Sequence, residues 1–162
     1  MIQAVSGDIL LSKAAVIVHG VSPNDDFHQG LARALREKWP ALYKDFRHYV
    51  KTHAPKPGGL WAWMGADGQR VVSLFTQEPA PAQGVHPGRA TLQHVGHALK
   101  ALHQLAVQEQ WSSLALPRLG TGVGGLDWKD VEPLVRQHLG KLDARVIIYS
   151  SHHAGAAANE QL

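Results

Sequence analysis

From Leu114 to Trp128 the chain reads Leu-Ala-Leu-Pro-Arg-Leu-Gly-Thr-Gly-Val-Gly-Gly-Leu-Asp-Trp, and no other stretch restricts the fold as much. An apolar strand, Leu114 to Leu116, stops at Pro117. Four glycines then fall between Gly120 and Gly125, and Asp127 stands where it caps the helix that follows. Glycines admit positive φ and leave no Cβ in the path of a ligand. Successive amide N–H groups in such a loop, together with the positive end of the next helix, form an anion cradle. A phosphate-binding turn at the carboxyl end of a strand is one reading, and an ordinary strand-to-helix connection is the other.

The rest of the chain alternates in the same way. Gln3 to Ser6 reads as a strand, Ile9 to Lys13 as a turn, and Ala14 to Val18 as an apolar strand covered on both faces. Helices are expected over Gly30 to Lys38, Ala41 to Thr52, Arg89 to Gln110 and Trp128 to Leu139. Leu60 to Met64 and Arg70 to Thr76 form a hairpin through Gly65-Ala-Asp-Gly68, and Ala144 to Ser150 is a last strand. Gln77 to Gly88 reads as irregular. The sum is a three-layer α/β/α sandwich around a mixed, largely parallel central sheet, one domain over residues 1–151. Residues 152–162 read as a flexible polar tail. Ligands of such sheets bind beyond the carboxyl ends of strands, where the loops Ser6 to Leu10, His19 to Gly30 and Gly120 to Gly125 meet.

Composition narrows the function classes. Cysteine is absent, which removes disulfides, thiolate nucleophiles and thiolate metal sites together. No run reaches the ~18 apolar residues of a membrane span. Met1 leads into strand-like sequence without a signal-peptide pattern, so a cytoplasmic protein is expected. The net charge is +3, with 16 Lys and Arg scattered along the sequence. That permits an anionic ligand without a concentrated basic patch. The 11 histidines complete no ligand spacing such as H-E-x-x-H, so no metal is expected.

Three blocks in order resemble the macrodomain family, whose fold binds ADP-ribose. They are Ser6-Gly-Asp-Ile-Leu10, then His19-Gly-Val-Ser22 through Phe27-His-Gln-Gly-Leu-Ala32, and then Pro117 to Trp128. Pro-Arg-Leu-Gly before the glycine loop and Gly-Gly-Leu-Asp-Trp after it are most similar to one branch. That branch holds the terminal ADP-ribose protein glycohydrolases and the antitoxins that reverse DNA ADP-ribosylation. The resemblance implies that Asp8 accepts from the adenine amino group while the Ile9 amide addresses the ring. It implies that Gly120, Thr121, Gly122, Val123, Gly124 and Gly125 hold the diphosphate or distal ribose, with His28, Gln29 and Gly30 closing from the other side. Ser22 either bonds ribose or holds its loop, and Tyr149 either stacks on adenine or belongs to the core.

The same resemblance fails at the chemistry. Members of that branch carry a lysine after a strand in a Thr-Lys pattern, able to form a Schiff base with the opened sugar. This chain has Thr76-Gln77. An aspartate within the glycine loop aligns with Gly124. What remains is hydrolysis by a positioned water, with His28, Asp25 and Asp26 as the titratable groups of the first loop. Glu78 and Arg118 are further neighbours of the cleft. The leading expectation is a hydrolase releasing mono-ADP-ribose from acidic side chains, with no cofactor. The alternatives are a non-catalytic reader and a hydrolase of nucleic-acid-linked or free ADP-ribose derivatives. Partners are then ADP-ribose or ADP-ribosylated macromolecules, nucleic acid only as modified substrate, and no membrane.

Overall fold

Residues 1–82, 85 and 88–162 are described by a computed structural model. Positions 83, 84, 86 and 87 of the expected irregular stretch lie outside the described residues. The elements run β1 (Ile2–Gly7), a single 3-10 turn (Ile9–Leu11), β2 (Val16–Val21), α1 (Gly30–Lys38) and α2 (Pro40–His53). They continue with β3 (Leu60–Met64), β4 (Arg70–Phe75), α3 (Leu92–Glu109), β5 (Ser113–Pro117), α4 (Trp128–Leu139) and β6 (Arg145–His152). The sheet order is β1-β6-β5-β2-β4-β3. Among the described strand pairs only β3–β4 is antiparallel, as the hairpin signal required.

Two buried clusters, one on each face, make the three layers. Val95, Leu99 and Leu102 of α3 and Val131, Val135 and Leu139 of α4 pack with Val18, Leu116 and Ile148 on one face. Leu35 of α1 and Leu42 and Phe46 of α2 cover Ile17, Ala115 and Ile147 on the other. Alternate residues of one strand thus feed opposite clusters, which is why the central strands read as unbroken apolar runs.

The helix ends are set locally. Pro40 opens α2, where its missing N–H costs nothing. The Thr91 hydroxyl accepts from His94 N at 3.0 Å and starts α3 at Leu92 rather than at Arg89. Asp127 caps α4 by accepting from Lys129 N at 3.1 Å. Strand β2 runs three residues beyond the expected Val18, through His19, Gly20 and Val21. The reason is that His19 pairs with Ser73 across the sheet, Nε2 to Oγ 2.8 Å, so a polar residue continues the buried strand.

The tail also departs from expectation. Residue 152 closes β6, and the residues beyond it turn back onto the start of the chain. His153 N donates to Gly7 O at 3.1 Å, Asp8 N to Ala156 O at 2.8 Å, and Gly155 N to Asp8 Oδ2 at 3.0 Å. Glu160, 8% exposed, accepts from the Ser12 hydroxyl, from Lys13 N at 2.8 Å and from the Tyr149 hydroxyl at 2.8 Å. A frayed tail would leave these donors to water. Here one buried carboxylate collects three of them.

Candidate functional site

A crevice of about 190 Å³ opens at the carboxyl ends of β2 and β5. Its walls are the first loop (Asp25, Asp26, Gln29, Gly30) and Gly120, Gly122, Val123 and Gly124 of the glycine loop, with Gln77 and His19 between them, whereas the Thr121 hydroxyl donates to Arg118 O at 2.8 Å. The two loops singled out in the sequence therefore do face each other.

The glycine loop is built to present main-chain donors. Gly120 (φ +72°) and Gly125 (φ +78°) take left-handed conformations that a side chain resists. Leu126 N closes the loop on Gly120 O at 2.9 Å, and Gly125 N on Gly122 O at 3.1 Å. Among the described residues, the N–H groups of Gly120, Thr121, Gly122, Val123 and Gly124 have no acceptor within the protein. Five such donors beside the start of α4 favour an anion. A Cβ on Gly124 would stand 2.6 Å from Gly120 O and 2.8 Å from the Ala90 Cβ. The position that resemblance aligns with an aspartate has no room for one.

The first loop is held from inside. Phe27 adopts φ +55°, rare for a bulky residue, and is fully buried against His19, Tyr43 and Phe46 at centroid distances of 5.5, 5.3 and 4.8 Å. Asp25 secures that conformation, its Oδ1 accepting from Phe27 N at 2.8 Å. Burial raises the Asp25 pKa from the ordinary carboxylate value, with those amide bonds opposing. Asp26 Oδ1 accepts from His28 N at 3.2 Å, and the His28 side chain is exposed on the side of the loop away from the crevice. Of the three titratable candidates, Asp25 and Asp26 line the crevice and His28 does not.

Ser22 is fully buried, and its hydroxyl donates to Asn24 Oδ1 at 3.3 Å, which is the loop-holding role. Gln77 is 5% exposed, and its Nε2 donates to Gly88 O at 3.1 Å, so the residue in the lysine position ties down the neighbouring segment. Glu78 turns away to His94 Nε2 at 2.7 Å, while Arg118 lines the crevice with its guanidinium 5.9 Å from the Trp128 ring centroid.

Around Asp8 the geometry is different. Asp8 and Ile9 lie at the start of the 3-10 turn, outside the crevice lining. Asp8 Oδ1 accepts from Leu10 N at 3.0 Å, and Oδ2 from Gly155 N. The Gly155 N–H holds the Asp8 carboxyl below its ordinary pKa, burial opposes it, and Leu10 N–H, His152 and Lys38 reinforce the lowering. Tyr149 is 6% exposed, a core residue whose hydroxyl is engaged by Glu160; burial and that bond push its pKa up. The returning residues 153–160 thus cover the carboxylate that the sequence reading assigns to adenine.

One residue without an assigned role in the sequence is His19. It forms part of the crevice wall at 1% exposure, bonded to Ser73 through Nε2, with Nδ1 unpartnered among the described residues. Burial lowers its pKa to about 3, so it is a neutral imidazole at neutral pH. A histidine closing an apolar strand just before a glycine was the available signal.

Residues 18–135 match the family model described as Macro domain. A DNA ADP-ribosyl transferase-DNA ADP-ribosyl glycohydrolase fusion protein of Thermosipho africanus is 26% identical over 160 residues, 91% of this chain and 41% of that protein. The chain therefore spans less than half the length of that relative. ADP-ribose glycohydrolase OARD1 of Homo sapiens is 21% identical over 150 residues, 92% of this chain and 91% of the human protein. Among solved structures, the macrodomain of Mycobacterium tuberculosis DarG superposes with a TM-score of 0.81 at 24% identity, covering 93% of this chain and 99% of that one.

Proposed function

The chain belongs to the Macro domain family, and from that premise we propose that it binds ADP-ribose and hydrolyses its ester to acidic side chains. The observation that carries this reading is the set of five unpaired N–H groups from Gly120 to Gly124, facing a first loop pinned by Phe27. Such donors suit the diphosphate and distal ribose, the charge-rich part of the ligand. The crevice is smaller than the ~300 Å³ at which pockets for whole small-molecule ligands begin, so the purine extends toward Asp8 and Ile9. Glycohydrolase names among the relatives support the reaction class.

The bond-breaking step needs no covalent enzyme intermediate. A water held between the two loops adds its oxygen to the anomeric carbon as the bond from that carbon to the ester oxygen breaks. The carboxylate leaves with the electron pair, and the proton lost by the water passes to solvent. Asp25 and Asp26 are the carboxylates on the crevice wall that can orient the water. Gln77 contributes shape, not nucleophilicity. Action in the cytoplasm fits the lack of cysteine. One observation favours a second reading, a reader that grips ADP-ribose without cleaving it: among the described residues no lysine lines the crevice, and its Asp25 already bonds Phe27 N.

Incubation with glutamate-ADP-ribosylated protein separates the two. Loss of label within an hour, undiminished by Gln77→Ala, is the expected result. Label unchanged overnight, with ADP-ribose still bound, would leave the reader.

A further inference from the structure

The first loop has a second side. Asp25 and Asp26 line the crevice, and they also line a shallow depression of about 560 Å³ that runs past His28 to Arg47 and Lys51. There it meets a groove of about 1000 Å³ along the junction of α1 and α2, lined by Tyr43, Lys44, Arg47 and Lys51. Residues 30–53, spanning both helices, carry six Lys and Arg against the carboxylates of Glu37 and Asp45. The remainder of the chain has ten against eleven. Glu37 pairs with Arg33 at 3.0 Å, and Asp45 accepts from the Trp63 indole at 2.8 Å, so neither faces the groove unengaged. Lys44, Arg47 and Lys51 stand at i, i+3 and i+7, share a face of α2 and span ~10 Å. All three are exposed, and among the described residues none has a carboxylate within ion-pair distance.

The other three cations hold the structure together. Arg33 serves Glu37, and Lys38 Nζ donates to Leu10 O at 2.6 Å. Arg36 Nη1 donates to Asp26 O at 3.0 Å, and its guanidinium lies 4.0 Å from the Tyr43 ring centroid; that of Arg47 lies at 6.0 Å. Tyr43 in turn packs on Phe27, centroids 5.3 Å apart, so groove floor and first loop form one packed unit. Charge changes sign along this path, from Asp25 and Asp26 at the crevice to Lys44, Arg47 and Lys51 beyond. A polynucleotide carries a phosphate at every step, including those over the two carboxylates, and is repelled there. A polypeptide leaves its first residues uncharged and places carboxylates further on. Side chains on one face of an extended peptide repeat every ~6.7 Å. Cations ~5–6 Å apart on flexible stems meet that spacing.

We propose that the α1–α2 groove docks the polypeptide flanking a modified residue and selects carboxylates a few positions away from it. This rests on the proposed function, in which the bond cleaved joins the distal ribose to an acidic side chain. A polypeptide so attached leaves the crevice over the first loop and reaches the groove past His28. Lys44, Arg47 and Lys51 then pair with two or three of its carboxylates. Such solvent-exposed pairs set sequence preference and rate of encounter more than total affinity.

Fluorescence anisotropy with an unmodified peptide of about 12 residues, glutamate alternating with serine, tests this directly. Binding is expected at low salt and weakens at least fivefold between about 20 and about 200 mM salt, as screened exposed pairs require. The same peptide with glutamine for glutamate binds at least tenfold more weakly. Lys44→Glu with Arg47→Glu weakens glutamate-peptide binding at least tenfold. Lys100→Glu with Lys141→Glu, the same charge change elsewhere on the surface, weakens it less than threefold. The three proteins unfold thermally alike and bind free ADP-ribose alike. A single-stranded oligonucleotide of equal charge binds more weakly than the peptide. Absence of peptide binding, equal losses in the two double variants, equal affinity for the glutamine peptide, or tighter binding of the oligonucleotide would overturn the proposal. Failure of wild type to bind free ADP-ribose would strike the proposed function instead, leaving the peptide result to judge the groove.

Discussion

His19 is sealed into the sheet as a neutral imidazole, and that fixes how the fold responds to acid. Its pKa lies near 3 in the folded chain and at 6.5 when exposed. Between those values the unfolded chain takes up a proton that the folded one refuses. Stability from this site is therefore complete above about pH 6.5 and declines as pH falls toward 3, by up to about 1.4 kcal/mol per pH unit. Denaturant titrations of wild type and His19→Gln should diverge across that interval, the variant showing the flatter profile. Parallel profiles would mean that His19 protonates in place. Gly124 carries a second residue-level prediction. With Gly120 O and Ala90 so close, Gly124→Ala should cost about 1–3 kcal/mol in thermal unfolding and weaken ADP-ribose binding. Gly124→Asp should do worse and restore no catalysis. Wild-type stability in the alanine variant would show that the loop yields.

At the level of elements, residues 153–160 act as a cover for Asp8, since Gly155 N already occupies one carboxylate oxygen. Under the proposed function, a purine amino group bonding Asp8 competes with that N–H. A chain ending at His152 should therefore bind ADP-ribose several-fold more tightly by calorimetry. Unchanged or weaker binding would make the segment a wall of the site. The interaction has a pH limit too. Because the Asp8 pKa is lowered from 3.8, its contribution is present above that value and is lost as pH falls through the folded-state pKa. The ends of α1, β3 and α4 were legible to the residue, each marked by a glycine, a turn or a cap. The docked tail was not, because Glu160 meets Ser12 across 148 positions of a polar, alanine-rich sequence without periodicity. Nor did periodicity reveal that Phe27 would support the first loop, since it stands alone between polar residues. Phe27→Ala should cost about 3–5 kcal/mol and loosen that loop, detectable as faster amide exchange at Asp25 to Gly30.

Over the whole molecule, one sheet separates two tasks. On one face it packs α3 and α4, while loops at the carboxyl ends of β2 and β5 form the crevice. The strand positions along the chain and the crevice loops were readable because apolar runs and glycine turns are local signals; the sheet order β1-β6-β5-β2-β4-β3 was not. The groove was not, because Arg36, Tyr43 and Arg47 come together only when α1 folds against α2. The proposed function depends on a diphosphate meeting the Gly120–Gly124 amides while Asp8 reads the purine. Calorimetric titration of ADP-ribose into wild type and Asp8→Ala tests that most directly. Micromolar binding by wild type, weakened at least tenfold in the variant, is the predicted result. No heat from wild type, or equal affinity in both, would contradict it.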